Sequence, residues 1–174
     1  MTIAVPAIMT LTDGHLAAEA QSGDRRAFDQ LYHRYARMVH GILLARVPWS
    51  QVEDLKQDVF LLAFARLPGL RDAAAFGGWL AQIARHKASD FHRHQPVPTI
   101  ALEPSHSITR PPSPEALGVL DAIRTLPEAY RETLILRLVE GLTGPEIAVQ
   151  TGLTPDSVRV NLHRGMKMLR EKLA

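Results

Sequence analysis

At 174 residues and 46% apolar content the chain is long enough for one or two domains with real cores. Twenty Lys and Arg against eighteen Asp and Glu leave a formal charge of +2, which excludes an indiscriminately basic protein. Zero cysteines exclude disulfides and thiolate metal sites; with no charged, cleavable leader and no run of ~20 apolar residues, the expectation is a cytoplasmic protein without membrane insertion.

Residues 1–12 are apolar, contain Pro6 but no Lys or Arg, and read as a flexible N-terminal tail. A first helical domain is expected over 13–95. Within it Phe28, Leu31, Tyr32, Tyr35, Val39 and Ile42 recur at helical spacing until Pro48, and Val52 to Leu67 forms a second helix ahead of Pro68-Gly69. Leu55, Val59, Leu62 and Ala63 make the core stripe of that helix. Its other side mixes Glu53, Asp54, Gln57 and Asp58 with Phe60, Leu61 and Phe64, and carboxylates beside exposed aromatics suggest a protein partner. Each aromatic taken alone fits a contact with a neighbouring helix equally well.

Pro68 to Phe76, with Arg71 and Asp72, reads as a loop of small residues. A third helix starts at Gly77-Gly78-Trp79 and runs to about His94, with Leu80, Ile83, Ala84 and Phe91 inward and Gln82, Arg85, Ser89, His92 and Arg93 outward. A loop beside a basic helix, with Phe76 and Trp79 at hand, suits an unstacked base. Trp79 itself lies on the apolar edge and fits a core position better than a stacking platform.

Between 96 and 117 stand six of the twelve prolines, mixed with serines. The segment reads as a flexible linker reaching roughly 70 Å in the polyproline conformation, about two turns of DNA. A second domain is expected over 118–174, where Leu126-Pro127-Glu128 opens a helical pattern and Pro145 to Gln150 forms a short helix. Thr151-Gly152 supplies a turn, Thr154 an N-cap and Pro155 a first helical residue, the layout of a helix-turn-helix. Winding the last helix at ~100° per residue puts Val158, Leu162, Gly165 and Leu169 on one side and Asp156, Val160, His163, Arg164 and Lys167 on the other. Charge is segregated too: residues 154–174 are basic and residues 51–62 acidic.

These segments together resemble a known family. Phe28-Asp29-Gln30-Leu31-Tyr32-His33-Arg34-Tyr35, Val52-Glu53-Asp54-Leu55-Lys56-Gln57-Asp58-Val59-Phe60, Phe76-Gly77-Gly78-Trp79-Leu80-Ala81-Gln82-Ile83-Ala84-Arg85 and the run from Leu126 to Arg164 are similar to extracytoplasmic-function (group 4) sigma factors of the bacterial sigma-70 superfamily. The resemblance implies an all-α fold of two small helical domains, a sigma-two domain over 13–95 and a sigma-four domain over 118–174. It implies that Glu53, Asp54, Gln57, Asp58, Phe60 and Leu61 meet the beta-prime clamp helices of core RNA polymerase, and that the sigma-four body docks on the beta flap. Arg71, Asp72, Phe76, Trp79, Arg85, Ser89, His92 and Arg93 then fall on the element that melts and reads the minus-10 promoter region. Thr154, Ser157, Arg159, Val160, His163, Arg164 and Lys167 fall on the minus-35 reader.

The function so implied is promoter-specific transcription initiation under a stress or envelope signal, with core polymerase, promoter DNA and an anti-sigma factor as partners and a monomer when free. No enzyme activity, metal or cofactor is expected: His92 and His94 diverge by ~200° on a helix, and the acidic cluster lacks catalytic companions. Gly165 is expected to loosen the last helix by up to ~1 kcal/mol relative to Ala. The alternative is a stand-alone helix-turn-helix regulator, which binds duplex promoter DNA without polymerase.

Overall fold

Asp24 starts the longest helix by accepting hydrogen bonds from the backbone N–H of Arg26 and Ala27, in front of a sequence whose apolar residues recur every three to four positions. That helix, α2 (Arg25–Leu44), is the axis of the N-terminal half in the computed structural model, which describes residues 12–94 and 113–174. Around it pack α1 (Asp13–Gln21), α3 (Trp49–Arg66) and α4 (Phe76–Arg93). Leu31, Tyr35, Met38, Val39 and Ile42 of α2 are buried against Leu16, Val59, Phe76 and Leu80. The C-terminal half comprises α5 (Pro114–Arg124), α6 (Glu128–Leu138), α7 (Gly144–Thr151) and α8 (Pro155–Leu173). No strand occurs among the described residues, and none of their helices is long and apolar enough to cross a membrane.

Several boundaries differ from expectation for local reasons. The second helix begins at Trp49, directly after Pro48, because proline is compatible with a helix entrance. The expected loop holds two 3-10 turns, Leu67–Gly69 and Ala73–Ala75; Gln21 donates to the carbonyls of Leu67 and Leu70 at 3.1 and 2.6 Å, and Asp72 caps the second turn. The linker ends earlier than the expected 117, because Ser113 caps α5 and Pro114 is its first residue. A proline there loses no hydrogen bond. The tail over 1–11 and most of the linker lie outside the described residues.

The two halves pack directly together. Their buried apolar residues form one continuous cluster in which α6 and α7 lie against α2 and α7 also against α4. Close approach of backbones makes this possible. A Cβ on Gly41 would lie 2.7 Å from Leu136 Cδ2, one on Gly77 2.6 Å from the Gln150 carbonyl, and one on Gly152 3.2 Å from the Cα of Gly78.

Candidate nucleic-acid and protein interfaces

Three surfaces carry the expected site residues. On α3, Asp54, Gln57, Asp58 and Leu61 are exposed and Glu53 half-buried, so most of the acidic side faces solvent. Glu53 bonds Lys56 at 2.7 Å and Asp58 lies 3.6 Å from Lys87 of α4. Leu61 and Phe64 remain 69% and 48% exposed. Phe60 is the correction here: it is only 5% exposed, its ring 4.5 Å from that of Tyr32, so it supports the surface from beneath. Phe28 meets Phe64 edge to face at 4.9 Å, and these four aromatics with Gln57 and Leu61 line a shallow apolar groove between α2 and α3. Phe28 and Tyr32 are legible in the helical pattern of α2, but only as core.

The second surface joins the 3-10 turns to α4. Arg71, Asp72, Ser89, His92 and Arg93 are exposed, with Arg93 paired to Asp90 and the imidazole of His92 donating to the Arg46 carbonyl at 2.7 Å. Phe76 cannot offer its ring to a base because it is fully buried against Tyr35 at 5.2 Å, and Trp79, half-buried, leans on it. Tyr35 in turn donates to Asp13 at 2.6 Å, and burial followed by that carboxylate drives its hydroxyl well above the ordinary tyrosine value.

Arg85 departs most from expectation. Instead of facing outward it donates twice to Glu132 of α6, at 2.6 and 3.1 Å. Arg46, in the turn after α2, reaches the same carboxylate at 2.6 Å and Glu128 at 2.5 Å. Burial alone would push the Glu132 carboxyl up; hydrogen bonds and charge from Arg85 and Arg46 outweigh it and hold the group below its ordinary range. Arg124 extends the seam by donating to the carbonyls of Leu44 and Val47, and Arg37 and His40 both meet Glu140. Sequence reasoning missed this network. The available signal is Glu132 itself, a carboxylate set directly before Thr133-Leu134-Ile135-Leu136 in a run that is buried throughout.

The third surface is α8. Thr154 accepts from Ser157 N–H, Pro155 holds the first helical position and Gly152 ends α7 at φ 74°, the left-handed cap that glycine allows. Thr143 and Glu146 form a capping box at the start of α7, which sets the first helix of the pair. Val158, Gly165 and Leu169 are buried and Leu162 half-buried, while Val160, His163, Arg164 and Lys167 are exposed on the expected face and Thr154, Ser157 and Arg159 are exposed beside them. Arg159 pairs with Asp156 at 3.1 Å. Gly165 does not loosen the helix: a Cβ there would lie 3.1 Å from Leu134, so the glycine is where α6 and α8 touch.

Among the described residues no cluster of His, Asp and Glu could hold a metal ion. The family model for sigma-70 region 2 matches residues 31–96 and that for sigma-70 region 4 matches residues 117–169. The RNA polymerase sigma factor CarQ of Myxococcus xanthus is 32% identical over 161 residues, covering 88% of this chain and 92% of its own. The extracytoplasmic-function sigma factor SigD of Mycobacterium tuberculosis is 30% identical over 192 residues, covering 99% and 91%. Among solved structures, CnrH in complex with the cytosolic domain of CnrY superposes with a TM-score of 0.64 at 27% identity, covering 92% of this chain and 96% of that one.

Proposed function

Since the chain belongs to the extracytoplasmic-function sigma factors of the sigma-70 family, which direct transcription initiation by RNA polymerase, we propose that its three surfaces divide that work. The acidic side of α3, through Glu53, Asp54, Gln57, Asp58 and Leu61 with Phe64, grips the beta-prime clamp helices. Charged groups around an apolar groove suit a helical partner, and Phe60 shapes the groove from below. The 3-10 turns and outer α4 take minus-10 DNA through Arg71, Asp72, Ser89, His92 and Arg93, with Phe76 and Trp79 as their buttress. Holding unpaired bases there offsets the cost of melting the duplex.

The outward face of α8 reads minus-35 DNA, and the rest of the C-terminal half docks on the beta flap. What supports the reading best is that face: seven expected residues are exposed together on a capped helix after a tight turn, with the opposite side buried. An anti-sigma factor is the third partner; the similar CnrH is solved with the cytosolic domain of CnrY. The chain acts in the cytoplasm and is a monomer when free.

The test is Asp54→Ala with Gln57→Ala in the full chain. Both residues are exposed, so the helical circular-dichroism signal should persist while core polymerase is no longer retained and promoter-dependent transcription stops. Retention within about twofold of the parent, a loss below ~0.4 kcal/mol, refutes the clamp assignment. Tight promoter binding by the chain without polymerase would favour a stand-alone regulator instead.

A further inference from the structure

Two guanidinium groups, Arg46 in the turn after α2 and Arg85 in α4, converge on one buried carboxylate, with Glu132 Oε2 2.6 Å from Arg46 and Oε1 2.6 Å from Arg85. Both cations belong to the N-terminal half. Glu132 comes from α6 of the C-terminal half and is 5% exposed. Arg85 shares α4 with Ser89, His92 and Arg93, and His92 is bonded to the backbone of Arg46, so the pair borders the surface assigned above to minus-10 DNA.

Paired guanidinium groups of this kind bind a phosphate as readily as a carboxylate, because both anions offer two charged oxygens that a guanidinium fork can grip at once. We propose that Arg46 and Arg85 form a backbone-phosphate site for promoter DNA, and that Glu132 occupies it in the closed chain as a stand-in for the phosphate. Opening of the halves and DNA binding at this site are then one equilibrium; the assignment rests on the minus-10 reading of α4.

A second feature requires that opening. Gly152, in the helix-turn-helix turn, packs with its Cα 3.6 Å from where a Gly78 Cβ would lie, which ties the end of α7 to the start of α4. Two sites about two DNA turns apart on one duplex, at ~34–36 Å per turn, cannot both be met by halves whose backbones touch at Gly78 and Gly152, so on such a promoter the closed chain engages one of them at most.

Gly41→Leu tests the proposal in the full-length chain. The three atoms nearest a Cβ at Gly41 all belong to Leu136 and Glu140 of the other half, so a larger side chain wedges the seam from α2 while improving that helix's own propensity. The chain has no cysteine, so labels at Gln30→Cys on α2 and Val149→Cys on α7 report the separation of the halves cleanly. The wedge should part the labels and tighten binding of a forked promoter DNA by about tenfold, because a larger fraction of molecules is binding-competent. Adding Arg46→Ala should remove that gain and lower the salt dependence by about one counterion.

Glu132→Gln supplies the same opening without steric load if the leucine variant loses its helical signal. Labels that stay together in a folded variant, labels that part with no gain in binding, or an Arg46→Ala variant with unchanged affinity and salt slope each overturn the proposal. A forked DNA of random sequence runs in parallel. Dependence on Arg46 with no preference for the promoter would count against the minus-10 reading alone, whereas loss of that dependence on both DNAs counts against the phosphate site.

Discussion

On the proposed minus-35 reading of α8, Val160 constrains which bases the helix can recognise. It is 37% exposed, on the same face as Arg164 and Lys167 and opposite the buried Val158. A branched apolar group in the major groove has one favourable sequence-specific partner, the thymine C5-methyl, while a guanidinium is the natural bidentate partner of guanine. The minus-35 element is thus expected to place a thymine beside Val160 and a guanine beside Arg164. Arg164→Ala should cost about 1–3 kcal/mol and relax choice at one base pair, and Lys167→Ala should weaken all sequences alike. Exchanging each thymine of the element for uracil removes only the methyl. Promoter use that is indifferent to every such exchange would rule out the Val160 contact.

Among the elements, the pairing of α6 with α8 shows how a sequence signal can be read with the wrong sign. Glycine in a helix interior costs up to ~1 kcal/mol relative to Ala, which suggests a weak point at Gly165. In the fold the same glycine is buried, with Leu134 and Tyr130 3.1 and 3.2 Å from where its Cβ would be. The lost propensity is offset by close packing of the helix-turn-helix against α6. Gly165→Leu should therefore destabilise the chain by about 1–3 kcal/mol, despite leucine's better propensity, because the added carbons have no space. Thermal unfolding measures this directly; a raised midpoint would contradict the packing argument.

At the scale of the whole molecule, one buried carboxylate stands between two cations at the seam of the halves. Glu132 has a folded value below its ordinary 4.5, the burial that opposes ionisation being outweighed by Arg85 and Arg46. A depressed carboxylate stabilises the closed form fully above about pH 4.5, and that contribution is lost as pH falls through the lower folded value. Acid should accordingly separate the halves in a step that Glu132→Gln lacks. Label separation followed from pH 6 downward at constant helical signal reads it out. Superimposable acid profiles for parent and variant would mean that the ionised Glu132 does not hold the seam closed.

Much of this protein is legible in local chemistry. Helical periodicity marks α2, α3, α4 and α8; Thr154, Pro155 and Gly152 specify the helix-turn-helix because caps and turns depend on residues within a few positions of one another. The same periodicity sorts α8 into a buried and an exposed side correctly. It is less decisive for α3, where Phe60 and Leu61 are neighbours in sequence yet one lies under Tyr32 and the other in solvent. Only the tertiary structure decided the fate of Arg85, since its partner Glu132 is 47 residues away on another helix. Long-range pairing depends on which faces meet when helices pack, and on glycines such as Gly41 and Gly78 that let backbones approach. Periodicity within one helix carries no information about either, so the joining of the two halves is visible in the fold alone.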